Sequence, residues 1–238
     1  MQSPRISGYR LRVPKREAGK TETSVGLPRL PPGRHGLTRD FVVKNQRDRL
    51  TAGIIAAVAE HGYHDATVSK ICAAAGLSRR TFYSYFSSKE ECYQQAFDLI
   101  VDHLVAAMRE AGGEQDGWPA QVGDRIRAML ETFAANPDLV RFAVIAPLRA
   151  GDEMTARQAA GVERLLEELT KGKQAAGVRP VSAAIEQAQV GGMMAVIAHR
   201  VETGRQEQLL DLLPDLVELF LMPFLGGAQA GTAPLAEG

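Results

Sequence analysis

The stretch LSRRTFYSYFSSKEE, residues 77–91, crowds two arginines, two tyrosines, two phenylalanines and four serines into a few turns, with a lysine and two glutamates behind them. A guanidinium can make two parallel hydrogen bonds to the edge of a guanine. Hydroxyls, an ammonium and the free amides at a helix N-terminus suit phosphate oxygens. The alternative use of such a stretch is a short helix whose rings are simply core. Phe82 and Phe86 are four residues apart and share one face, which fits core. Arg80, Tyr83 and Ser84 fall outside that stripe and are left for solvent or a bound partner.

The elements that must hold this stretch are legible on either side of it. From Phe41, the positions Val43, Arg47, Leu50, Ile54, Val58 and His61 recur every three or four residues, and Gly62 ends this first helix. Thr67 is placed to cap a short second helix in which Val68, Ile71, Cys72 and Ala75 share a face. Gly76 stops it, Leu77 is a buried connector, and Ser78 caps a third helix running from Arg79 to Phe86. Two short helices joined by a tight glycine turn describe a helix-turn-helix, with Ala73, Ala74 and Ala75 allowing close approach. Ser88 caps a fourth helix that runs to about Arg109, and Glu90 and Glu91 in its first turn suit the helix dipole.

Beyond it the pattern stays helical: 121–135, 138–148, 152–175, 180–202 and 214–225, with Asn136-Pro137 closing one helix and opening the next. With no convincing alternating strand, the expected fold class is all-α. Three N-terminal helices form the helix-turn-helix domain, and a C-terminal helical domain follows. The expected divisions are a disordered basic arm (1–38), the helix-turn-helix domain (39–87), a helical domain (88–225) to which the family resemblance given below assigns ligand binding and dimerisation, and a flexible tail (226–238).

Charge is uneven although the net is zero. Residues 1–38 carry eight Lys/Arg against two Asp/Glu, for +6; residues 39–97 carry eight against six, for +2; residues 98–238 carry twelve against twenty, for −8. A polyanion would meet the basic front. The front arm holds five prolines and five glycines without apolar periodicity. It reads either as a passive tail from an over-long translation start or as an arm lying on DNA.

No run of about 18 apolar residues predicts a membrane span, and no signal-like segment opens the chain. Two cysteines, Cys72 and Cys92, form neither a disulfide framework nor a metal cluster, and a cytoplasmic location is expected. No nucleophile–base arrangement, phosphate loop or paired catalytic carboxylates stand out, so no enzyme activity, cofactor or metal site is expected. Buried packing is the expected role of both cysteines.

The run ATVSKICAAAGLSRRTFYSYFSSKEECYQQAF, residues 66–97, resembles the DNA-binding segment of the tetracycline-repressor-like (TetR) family of bacterial transcription regulators. The preceding LTAGIIAAVAEHGYHDAT is similar to that family's first helix and glycine-aromatic turn. The resemblance covers about sixty residues; the rest matches in helix count and length. One departure is Cys92, where the family usually has leucine.

The resemblance implies a sequence-specific DNA-binding regulator, most simply a repressor released from a palindromic operator by a small molecule. By position it gives Thr67 a phosphate contact at the second helix N-terminus and brings Ser69 toward the groove. Arg79, Arg80, Thr81 and Ser84 face bases or nearby backbone. Tyr83 and Tyr85 touch the DNA backbone, Tyr83 also reaching a base, and Lys89 binds a phosphate. It further implies a homodimer built from the last two helices. The greasy LLDLLPDLVELFLMPFL and the small residues of 180–202 fit that, although an intramolecular core would use the same residues. An effector cavity would draw on His103, Met108, Trp118, Met129, Phe133, Phe142 and Met193, with Met194 and His199 as further candidates, though methionines and aromatics at helical spacing equally fit plain core. Two other classes remain open: a helix-turn-helix scaffold acting through protein partners, and a helical-bundle enzyme or carrier.

Overall fold

Helix α1 (Arg39–Asp65) carries Leu50, Ile54, Ile55 and Val58 on its inner face, all essentially excluded from solvent. The computed structural model describes residues 39–113, 117–147 and 150–225. The expected basic arm, the C-terminal tail and the expected helix end at Leu148 lie outside them. The sequence stripe overruns the packed face at both ends: Val43 and His61 are exposed. At Gly62 the backbone leaves helical geometry with φ 78°, which breaks α1 where the sequence places its end.

Helix α2 (Val68–Ala75) starts on Thr67, whose side chain accepts from the Lys70 amide, and ends on Gly76 at φ 61°. It lies so close to α1 that a Cβ on Gly53 would sit 2.8 Å from the Ile71 carbonyl oxygen and 2.9 Å from the Ala75 Cβ. Ser78 then opens α3 (Arg79–Tyr83), accepting from the Thr81 amide at 3.0 Å. This helix is shorter than the sequence pattern indicates. Ser84 Oγ donates to the Thr81 carbonyl at 2.7 Å, and a serine satisfying backbone in this way competes with continued helix. Phe86 keeps its place through its amide, which donates to the Phe82 carbonyl at 3.0 Å, so both rings remain buried.

Helix α4 (Lys89–Ala111) opens on Ser88, as its sequence indicates, and is the spine of the molecule. It packs against α1, α5 (Trp118–Ala135) and α7 (Asp152–Thr170). Between those two, α6 (Asp138–Val140) gives way to a π-helical turn at Arg141–Ile145, with the Ala146 amide donating five residues back to Arg141. Helix α7 ends five residues before the expected position. Lys171 takes an extended conformation and Gly172 a φ of 96°, so the helical ladder cannot continue.

Helices α8 (Ala183–Glu202) and α9 (Leu213–Leu225) complete the bundle, with 3-10 turns at Gln206–Gln208 and Leu210–Leu212 between them. Pro223 lies inside α9 and has no amide hydrogen to offer the Leu219 carbonyl one turn back. Buried Gln189 of α8 supplies that bond instead: its Nε2 donates to Leu219 at 2.7 Å and to Phe220 at 2.6 Å. One hydrophobic cluster runs from Ile54 and Phe82 in the front helices to Leu216 and Phe220 at the back. All described regular structure is helical, and no described helix is long and apolar enough to cross a membrane.

Candidate nucleic-acid interface and ligand cavity

The outer side of α3 is open. Arg79, Arg80 and Ser84 are exposed, and Tyr83 keeps 52% of its surface in solvent while Phe82 beside it has none. Thr67 and Ser69, at the start of α2, are also exposed. Thr81 is half-buried, its hydroxyl 2.9 Å from that of Ser78, so it serves the helix cap.

Two of the expected contacts are engaged within the chain. Tyr85 donates its hydroxyl to Gln46 Oε1 at 2.8 Å, tying the end of the α3 turn to α1. Lys89 Nζ donates to the Tyr63 carbonyl at 2.9 Å and stands 4.2 Å above the Tyr63 ring. An ammonium has three N–H groups, so two of the Lys89 donors stay available to a phosphate. The Tyr63 phenol is pushed up to about 12, first by burial and then by Glu90, and so remains a neutral donor to that carboxylate.

Arg49 is a residue whose part in this surface the sequence pattern does not indicate. Its guanidinium is buried under the turn, Nε donating to the Ala75 carbonyl at 3.0 Å and Nη2 to the Gly76 carbonyl at 2.8 Å. These are carbonyls at the end of α2, which a helix leaves without partners, so Arg49 fixes how α2 hands over to α3. Cys72 and Cys92 are buried free thiols, and burial pushes both up, away from the reactive thiolate form.

Behind the front helices, α4, α5, the π-helical turn, α7 and α8 line a half-open cavity of about 640 Å3. Phe97, Val101, Leu104, Phe133, Val144 and Met194 supply much of its apolar wall. Thr155, Gln158, Gln187 and His199 supply polar groups. Gln158 Nε2 donates to the Val144 carbonyl at 3.0 Å, joining α7 to the π-helical turn.

Of the residues the sequence offers for a cavity, Phe133, Met194 and His199 line this one. The others lie elsewhere for identifiable reasons. Trp118 donates its indole N–H to the Leu169 carbonyl at 3.0 Å and packs edge-on against Phe224, pinning α5 to α7 and α9. Phe142 stacks on Tyr93 with ring centroids 4.4 Å apart. Met108, Met129 and Met193 are buried among helix contacts. His103 is half-buried on α4, where burial holds its imidazole below the usual value. Among the described residues no group of His, Cys, Asp and Glu is arranged to hold a metal ion.

An open short helix on a helix-turn-helix frame is thus carried by a helical bundle with a half-open cavity. The family model described as "Bacterial regulatory proteins, tetR family" matches residues 50–96, the segment that holds α2, α3 and the start of α4. The HTH-type transcriptional activator FasR of Mycolicibacterium smegmatis is 40% identical over 52 residues, which is 22% of this chain and 24% of FasR. The aligned stretch thus spans about a quarter of that relative's length. Among solved structures, the fatty acid degradation regulator FadR from Bacillus halodurans has a TM-score of 0.66 at 23% identity, over 73% of this chain and 97% of that one. The transcriptional regulator FadR from Bacillus subtilis, in complex with stearoyl-CoA, has a TM-score of 0.65 at 20% identity, over 75% and 97%. These likenesses show that the back half shares the fold as well.

Proposed function

We infer that the chain is a sequence-specific, DNA-binding transcriptional regulator that responds to a small lipophilic effector, acting as a repressor released from a palindromic operator. The observation that carries this reading is the division of α3, with Phe82 and Phe86 sealed inside while Arg80, Tyr83 and Ser84 face outward. A major groove admits one such helix, and its N-terminal residues reach base edges. Arg79, Arg80, Thr81, Tyr83 and Ser84 then read bases and adjacent backbone, Ser69 approaches the groove, and Thr67, Tyr85 and Lys89 hold phosphates.

The dimer forms through α8 and α9. Ile185, Val196 and Met222 on these helices keep 46%, 41% and 44% of their surface exposed. A Cβ on Gly192 would meet nothing within 4 Å, so nothing inside the chain accounts for that glycine. A two-fold axis there sets two recognition helices about one DNA turn, roughly 34 Å, apart.

The cavity takes the effector. Its apolar wall suits an alkyl chain, as the stearoyl-CoA of the Bacillus subtilis neighbour also suggests. An effector that binds one arrangement of α4 and α7 better shifts the population toward it, and α4 transmits the change to α3.

The test is retention of duplex DNA from upstream of the chain's own gene. The wild-type chain retains it, whereas Arg80→Ala and Tyr83→Ala lose it while keeping the wild-type melting temperature. Equal retention by all three would overturn the assignment of α3 as the reading helix.

A further inference from the structure

One polar side chain interrupts the apolar face that α7 turns toward the cavity. Positions 158, 161, 162 and 165 share one side of that helix and all line the chamber. Gly161, Val162 and Leu165 carry no polar side-chain group, whereas residue 158 is a glutamine. Thr155, Glu163, Gln187, His199 and Glu202 also line the chamber, but each of them is exposed. Gln158 alone among the described polar lining residues is half-buried.

Its amide is held in one orientation. Nε2 donates at 3.0 Å to the carbonyl of Val144, itself a lining residue. A carbonyl only accepts, so this bond decides which end of the amide faces the π-helical turn. The bond uses one of the two N–H groups on Nε2. Among the described residues the other N–H and Oε1 have no hydrogen-bond partner, and Oε1 stays accessible rather than sealed in the core. One planar group therefore presents a free donor and a free acceptor in a chamber whose wall is mostly apolar.

A body that fills the chamber closes over this amide. Pure hydrocarbon leaves both groups dry and unpaired, and a site with buried hydrogen-bonding groups rejects an analogue that lacks their partners. Resting on the reading of this cavity as the effector site, we propose that Gln158 is its specificity-determining residue. The effector carries on its apolar body a neutral group that both donates and accepts a hydrogen bond, an amide or a hydroxyl. A group that only accepts, such as an ether oxygen, meets the N–H and leaves Oε1 unpaired. The bound effector then bears on the π-helical turn through one side chain, because the same amide holds Val144.

Calorimetric titration of the full chain with three probes of similar length tests this: decanol and decanamide, which donate and accept, and methyl nonyl ether, which only accepts. Gln158→Leu weakens the alcohol and the amide about tenfold each and does not weaken the ether. Gln158→Met, which keeps the length of the side chain, gives the same pattern. Both variants also lose the Val144 bond, so equal weakening of all three probes would reduce Gln158 to a strut of the π-helical turn and overturn the proposal. Alcohol and amide affinities unchanged by the substitutions would overturn it too, and either result leaves the cavity reading intact. Failure of all three to bind the wild-type chain, or binding undisturbed by Ala198→Trp, would overturn the cavity reading and the proposal with it.

Discussion

The hydroxyl of Tyr93 donates to the main-chain carbonyl of Phe142 at 2.8 Å, joining the N-terminal part of α4 to the π-helical turn. The bond is buried, and Tyr93 has no exposed surface. The three residues following Phe142 line the cavity. On its other side the Tyr93 ring meets Tyr63 at a centroid distance of 4.9 Å, and Tyr63 in turn holds Lys89 through its carbonyl and its ring. A continuous chain of contacts thus runs from the cavity wall to the lysine at the front of α4. Such a chain becomes a route of coupling when its removal changes how one site responds to the other.

Tyr93→Phe keeps the ring and deletes the bond. It leaves the Phe142 carbonyl buried without that partner and costs about 1–3 kcal/mol of stability in chemical denaturation. DNA affinity without effector stays near wild type, and the effector concentration needed for release rises. Unchanged release by this variant would remove Tyr93 from the coupling route.

Lys89→Ala tests the phosphate contact separately from the reading of bases. The logarithm of DNA affinity falls linearly with the logarithm of salt, and deletion of one phosphate contact reduces that slope by about one unit. Fluorescence anisotropy across a salt series reads it directly. A slope equal to that of the wild type would mean that the Lys89 ammonium serves only Tyr63.

The front of the molecule was readable because its signals are local. Thr67, Gly76, Ser78 and Ser88 each sit within three residues of the bond or dihedral that makes them caps, so spacing alone places them. Arg49 was not readable, since the carbonyls it serves lie 26 and 27 residues away and belong to main chain, which has no side-chain signature. The cavity was the least legible feature. Met193 and Met194 are neighbours in sequence, yet about 100° of helix rotation separates them, and only Met194 reaches the cavity. That rotation is set by the packing of α7 and α9 against α8, and periodicity within α8 does not encode it. The π-helical turn escaped for a similar reason, its bonds being one residue longer than the pattern assumes.

Arg49→Met follows from that long-range role. The methionine fills part of the buried stem but leaves the Ala75 and Gly76 carbonyls without its bonds, for a loss of about 1–3 kcal/mol. DNA affinity falls as well, although Arg49 is buried and touches no DNA in this account. A variant as stable as the wild type, with full affinity, would show that the turn is held without it.

His103 introduces a pH dependence whose sign is fixed by its burial. Its imidazole is held below the ordinary value of 6.5, burial being the larger cause and nearby Glu110 opposing it. The unfolded chain therefore takes up a proton before the folded chain does. The stability associated with neutral His103 is complete above the unfolded value and is lost as pH falls through it toward the lower folded value. His103→Gln flattens the fall in melting temperature between about pH 7.5 and 5.5. An identical fall in the variant would place the titration elsewhere.

The most direct measurement is selection of sequences bound by the full chain from random duplex DNA, with Arg80→Ala and Tyr83→Ala run in parallel. The account predicts enrichment of a single two-fold motif by the wild type, with half-site centres about 10 base pairs or a multiple apart. Both variants lose that enrichment. No motif above background, or the same motif recovered by all three proteins, would contradict the claim that the outward side of α3 reads DNA.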